Sequence, residues 1–149
     1  AGTAARVGAA TRDLCEVIDP AALAHAVAAA REAKRATHEP VRVAWQAPCS
    51  LQHGQRSSTA GKVEALLRAA GSELVATRNP TLCCGSAGTY SILQPELARE
   101  LRTRKLDSLL GDQPAWIATA NIGCLEHLRQ ASAVPVRHWI EIVDSILFA

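Results

Sequence analysis

The chain is 149 residues long, with a formal net charge of +2, 20% charged residues, and only three Trp, one Tyr and one Phe as aromatics. That length suits one domain, which at this size buries roughly 70% of the surface its unfolded chain exposes; the charge and aromatic content leave neither a basic stripe nor a stacking platform for bases, and so set nucleic acid aside. Five cysteines, an odd number at low density, exclude a secreted disulfide scaffold and point to a reducing cytoplasm; no stretch has the length and flanks of a signal peptide or membrane span, and a chain without methionine, even at position 1, reads as a piece of a longer polypeptide.

Along the chain, Thr11 to Ile18 reads as a short helix. Asp19 to Arg35 reads as a longer one, alanine-rich, with an Asp-Pro start that supplies an N-cap and a proline in the first turn. After Pro40 the run VRVAWQAP is β-branched and aromatic and ends at a proline, which predicts a strand. Ser58 to Ala70 has apolar residues at helical spacing and stops at Gly71, and Ser72 to Thr77 returns to strand character. A helix over 94–110, a strand AWIATA, a helix over 122–131, a strand VPVRHW and a final helix IEIVDSIL follow. Such alternation predicts an α/β three-layer sandwich with a parallel sheet of about four strands, Rossmann- or flavodoxin-like, plus N-terminal helices. The chain divides into an N-terminal helical segment over 1–38 and an α/β domain over 39–149.

The cysteines fall in a pattern on that scaffold. Cys49 follows the first strand, the adjacent pair Cys83 and Cys84 lies in the loop beyond the second, and Cys124 comes just after the third, near a helix start. The carboxyl ends of parallel strands share one edge, where ligands bind, so three distant segments deliver thiols to one place. Adjacent cysteines bridge only through a strained ring, and a shared metal centre is the more natural use; the bland alternative, a small buried hydrophobe, suits Cys15 in its helical pattern. Cys124 and His127 (CLEH) lie three apart, on one helix face, where both can reach one ion. A helix start also favours the thiolate. Gly85 and Gly88 remove side chains beside the cysteine pair, and Asn121 with Gly123 does likewise before Cys124, leaving backbone amides to approach a bulky centre. GSAG alone is a weak phosphate-loop signal, since the lysine of a P-loop is missing. His53 and His138 sit near strand ends, where histidines more often bond locally than bind metal.

Cys49, 33 residues, Cys83-Cys84-Gly85, 38 residues, then Cys124 with His127: this pattern resembles the CCG, or cysteine-rich, domain of the heterodisulfide reductases and their relatives. APCSLQHGQ, LCCGSAGTYSILQPELARELRTRKLDSL, IATANIGCLEHL and VPVRHWIEIVD together are similar to the carboxyl-terminal half of glycolate oxidase iron-sulfur subunits, a resemblance covering essentially the whole chain. The general pattern ends in Cys-x-x-Cys, and here the last position is His127, as the glycolate oxidase branch leads one to expect. The resemblance implies an oxidoreductase complex in which this chain is the second of two CCG domains, after an amino-terminal ferredoxin-like region. It implies a flavoprotein partner that oxidises glycolate, an electron-transfer role, and a [4Fe-4S] cluster of noncubane type, with Cys49, Cys83, Cys84 and Cys124 at the ligand positions and His127 at the altered one. The location implied is cytoplasmic, with any contact to the inner membrane peripheral and through partners.

Two readings of other classes stand beside it. A structural or regulatory zinc domain would use three of the cysteines and His127 in a tetrahedral Cys3His site and leave one thiol spare; that surplus favours iron-sulfur chemistry, in which several irons need several thiolates. A flavin- or nucleotide-binding module would use the same sheet edge and leave the cysteines unexplained.

Overall fold

The computed structural model describes residues 2–34, 39–54 and 61–148. Its frame is a four-stranded, all-parallel sheet in the order β2-β1-β3-β4, with β1 at Arg42–Gln46, β2 at Glu73–Leu74, β3 at Trp116–Thr119 and β4 at Val136–His138. The α/β architecture and the strand count agree with the sequence. Helices α1 (Thr3–Ala10), α2 (Leu14–Val17) and α3 (Pro20–Lys34) precede the sheet. A π-helical turn (Ser50–Gly54) and α4 (Lys62–Ala69) lie between β1 and β2, α5 (Tyr90–Leu93) and α6 (Pro95–Leu110) between β2 and β3, α7 (Ile122–Arg129) between β3 and β4, and α8 (Trp139–Phe148) closes the chain.

Several boundaries move for physical reasons. The expected helix over 11–18 contracts to α2, started by a reciprocal cap in which the Cys15 amide donates to Asp13 and the Asp13 amide donates to Glu16. Asp19 caps α3 as its sequence suggests, accepting from the Ala22 amide at 2.8 Å. The residues 35–38 and 55–60, which include the end of the expected 19–35 helix and the start of the 58–70 one, lie outside the described residues. The second strand shrinks to two residues because β2 is an edge strand that pairs only with Arg42 and Val43. Helix α1 was not expected. It has no side-chain cap and buries nothing, so it carries none of the usual signals.

The sheet separates two cores by the period-two rule. Val43 and Ala118 face one side, in a cluster with Cys15, Leu23, Val27, Leu66, Leu67 and Trp139, which come from α2, α3, α4 and α8. Ala44 and Ile117 face the other, with Leu106 and Leu109 of α6, Leu125 and Leu128 of α7, and two cysteines, Cys84 and Cys124. In this strand order the chain leaves β1 toward β2 and resumes on its other side at β3, so β1 and β3 flank the topological switch point, where ligands bind beyond the strands' carboxyl ends. There the paired residues Gln46 and Thr119 are both buried, and the Thr119 hydroxyl donates to the Gln46 side-chain Oε1 at 2.5 Å. This bond fixes the two strand ends side by side.

Candidate metal centre

Three loops meet above the switch point. The first begins at Pro48, whose carbonyl accepts from the Leu51 and Gln52 amides at 3.0 Å each, and it leaves Cys49 exposed at the rim. The second must travel from the edge strand β2 across the end of β1. Two polar residues on the buried stripe of α6 hold it down: the Ser108 hydroxyl donates to the Arg78 carbonyl at 2.6 Å, and the Lys105 ammonium donates to the Pro80 carbonyl at 2.8 Å. The third is the start of α7, where Asn121 caps the helix by accepting from the Cys124 amide at 3.1 Å.

The result is a cavity of about 460 Å³ lined by all four cysteines expected to ligate, Cys49, Cys83, Cys84 and Cys124, together with Gly88, Asn121 and Gly123. Ser50 and Ser86 also line it; the sequence reading missed both. Cys84 and Cys124 are buried, with their sulfurs 3.0 Å apart, and Cys83 is half-buried and accepts from the Gly85 amide at 3.3 Å. The loops approach closely enough that a Cβ on Gly123 would stand 2.8 Å from the Ser86 hydroxyl. Gly85 does not line the cavity. It is needed behind it: its φ is +87°, and a Cβ there would stand 2.4 Å from the Ala98 carbonyl of α6.

The two buried sulfurs share one proton. Cys124 keeps it and donates to Cys84, whose thiol falls to about 6, helped by the Ser86 amide and the Lys105 charge and opposed by burial. The Cys124 thiol is pushed up by that bond, by burial, and by negative charge at the other three cysteines. Burial, then negative charge at Cys83 and Cys84, pushes Cys49 up. Burial pushes the Lys105 ammonium down, while the four thiols push it back up, Cys84 most. Lys105 is another residue that sequence reasoning missed; a lysine in register with the buried Ala98, Leu106 and Leu109 of one helix was the available signal.

The remaining expected residues lie apart from the thiols. His127 is buried, but its Nε2–H donates to the Ala98 carbonyl at 3.2 Å, and it lines a separate cavity with Ser91, Arg99, Arg102 and Gln130. The three-residue spacing does place Cys124 and His127 on related faces of α7. One turn further along, however, the neighbour is α6 and no longer the thiol cavity. Cys15 is buried in the opposite core, its thiol pushed up to about 12 chiefly by burial. His53 is exposed, and His138 bonds locally, its Nδ1 accepting from the Ile140 amide at 3.4 Å.

In kind and in place, four thiols on one cavity fit a thiolate-bound metal centre. In spacing they are a relaxed arrangement. Two thiolates on a tetrahedral zinc with 2.3 Å bonds lie about 3.8 Å apart, so Cys84 and Cys124, at 3.0 Å, would have to separate to share such an ion. Among the described residues no group of three His, Cys, Asp or Glu is already closed enough to hold a metal ion.

Comparison with known proteins gives a consistent picture. The CCG cysteine-rich domain family is matched over residues 43–129, a span that contains all four thiols. The glycolate oxidase iron-sulfur subunit of Escherichia coli is 47% identical over 106 residues, covering 71% of this chain and 26% of that protein. The probable glycolate oxidase iron-sulfur subunit of Bacillus subtilis is 29% identical over 94 residues, 63% of this chain and 21% of that one. Lactate utilization protein A of Oceanobacillus iheyensis is 31% identical over 68 residues, 42% and 28% of the two chains. The chain thus spans about a quarter of the length of these curated relatives.

Proposed function

Because the chain belongs to the CCG cysteine-rich domain family, we propose that it is the carboxyl-terminal electron-transfer module of an oxidoreductase subunit of the glycolate oxidase iron-sulfur type. The observation that carries this reading is the convergence of four thiols from three loops on one cavity at the switch point. We place the metal-bearing domain at 39–149, with α2 and α3 of the 1–38 segment packed on one face. An upstream ferredoxin-like region and a first CCG domain belong to the same subunit in this reading, and a flavoprotein that oxidises a small 2-hydroxy acid is the electron donor. No described helix is long and apolar enough to cross a membrane; in this reading the domain is cytoplasmic and any contact with the inner membrane is peripheral, through partners.

Cys49, Cys83, Cys84 and Cys124 would hold the group, a [4Fe-4S] cluster of noncubane type. When bound, it supplies one-electron storage at a potential set by hydrogen bonds, charge and exposure. The chain's own residues prepare the site for it. The Gly85 amide donates to the Cys83 sulfur, and the Ser86 amide favours the thiolate form of Cys84. Gly88 and Gly123 keep the walls free of side chains, and the Gln46–Thr119 bond ties together the ends of the two strands that lead to Cys49 and Cys124. A zinc site of Cys3His type would require His127 to abandon the Ala98 carbonyl and turn into a different cavity. In that respect the geometry favours the all-cysteine set.

The test is anaerobic reconstitution of the complete subunit. About four irons with matching sulfide are expected in this domain, with the cluster lost in both Cys83→Ser and Cys84→Ser. Uptake of one zinc without sulfide, and tolerance of either serine, would refute the electron-transfer role.

A further inference from the structure

We infer that Lys105 is the internal counter-charge of the metal centre, a positioning residue whose fixed ammonium favours the more negative, reduced state and so raises the reduction potential. The inference rests on the iron-sulfur reading of the thiol cavity and adds to it a residue outside the ligand set.

Lys105 is 0% exposed. Lysine is almost never fully buried unless paired with an opposite charge, because removing an ammonium from water is expensive and only a nearby anion or a full set of hydrogen bonds offsets it. Here the pairing is incomplete. Among the described residues one of its three N–H donors is used, on the neutral Pro80 carbonyl at 2.8 Å, and no carboxylate stands within ion-pair distance of it. The negative charge that favours its ammonium comes foremost from Cys84. The same ammonium is one of the influences that favour the Cys84 thiolate. A buried cation without a carboxylate partner among the described residues is therefore bonded to the loop that carries Cys83 and Cys84, on a helix whose Leu106 and Leu109 pack with Cys84.

A cluster held there would take one electron from a reduced flavin, become one unit more negative and give that electron up to the acceptor, while Lys105 neither gains nor loses a proton. Because the ammonium is buried, its attraction for that added charge is weakly screened. Removing it destabilises the reduced state and moves the potential in the negative direction.

Lys105 also holds the loop that carries Cys83 and Cys84, and the experiment separates this role from the charge. The complete subunit is reconstituted anaerobically as wild type, Lys105→Gln, which keeps an N–H donor for Pro80 without the charge, and Lys105→Met, which keeps neither. Iron, sulfide and the midpoint potential, followed by electron paramagnetic resonance at low and high salt, are measured for each. Both variants are expected to bind iron as the wild type does and to titrate at a more negative potential, by similar amounts that salt does not abolish. Loaded variants with an unshifted potential would overturn the inference, as would a shift in Lys105→Met alone, since the loop bond would then be what matters. Where the neutral variants fail to load, Lys105→Arg decides: recovery of iron by this cationic variant upholds the counter-charge, and failure of all three overturns it. If the wild type takes up one zinc and no sulfide, the electron-transfer reading falls separately. The counter-charge is then read by chelator competition, where a loss of zinc affinity of about tenfold or more in Lys105→Gln sustains it and unchanged affinity removes it.

Discussion

Alanine at Gly85 and alanine at Gly88 form a matched pair of perturbations just beyond the adjacent thiols. Both glycines have left-handed backbones, with φ of +87° and +58°, so each substitution incurs the same conformational penalty, about 1–2 kcal/mol for an L-residue in that region. They differ in surroundings. Nothing lies within 4 Å of a Cβ on Gly88, whereas one on Gly85 would stand 2.4 Å from the Ala98 carbonyl and 3.1 Å from the Leu101 Cβ. The Ala98 oxygen belongs to the backbone of α6 and cannot swing away, so the loop must move by about 1 Å to restore ordinary contact; overpacking of that kind adds roughly 1–3 kcal/mol. Gly88→Ala should therefore cost about 1–2 kcal/mol and Gly85→Ala about 2–5 kcal/mol. Urea unfolding of the reduced, metal-free chain measures both, and an unchanged m-value would assign the difference to stability itself. A shift of that loop disturbs the 3.0 Å contact between Cys84 and Cys124, so the Cys84 titration should change in Gly85→Ala and stay unaltered in Gly88→Ala. Equal destabilisation by the two substitutions would refute the idea that close approach to α6 is what demands glycine at position 85.

In the metal-free protein the ultraviolet absorbance of a thiolate should appear with a midpoint near 6, where Cys84 titrates, and move upward in Cys124→Ala, which removes the donor responsible for most of that shift. The folded Cys84 loses its proton well below the ordinary thiol value of 9.0, so between about 6 and 9 the unfolded chain binds more protons and the stability contributed by this group rises with pH; below 6 that contribution is lost. Urea midpoints should climb from about pH 6 to 8, below the range where the raised thiols Cys15, Cys49 and Cys124 oppose the rise, and a flat profile there would argue against the shared proton. Asn121→Ala should cost about 1 kcal/mol by uncapping α7, visible as a lower urea midpoint with the fold otherwise intact. Cys15→Ser, in the opposite core, should leave metal uptake by the reconstituted subunit unchanged while destabilising the chain by about 1–3 kcal/mol, the range for a buried hydroxyl short of partners; loss of iron in that variant would mean the ligand set is misassigned.

The strands were legible because Val43, Trp45, Ile117 and Val136 stand in short β-branched or aromatic runs bounded by proline, glycine or charge. The helices with a clear cap or apolar stripe, α3, α6, α7 and α8, were legible for the same kind of reason, and α1 and the single turn α5 have neither. At the site, position after a strand was enough to bring four cysteines to one cavity, since parallel strands share a direction. What spacing could not convey was the identity of the neighbour. His127 follows Cys124 by three residues, yet its partner is decided by where α6 crosses α7. Lys105 went unnoticed for the converse reason: a charged residue on a helix is ordinarily assigned to the solvent face, and only the register of Ala98, Leu106 and Leu109 marks this one as internal.

The division of the interior into two cores has a consequence for how such a domain can change over time. On the side of α3, α4 and α8, side chains such as Val27, Leu66 and Ile142 touch one another and the back of the sheet, so conservative exchanges among them alter the margin of stability and little else. On the other side, Ala44 and Ile117 share their packing with Cys84 and Cys124. An added methylene there has no route of relief except through the sulfurs or the helices behind them. One face of the sheet is thus free to drift in sequence while the other is tied to the chemistry above it, and a designer wishing to stabilise the domain without retuning its centre should work on the first.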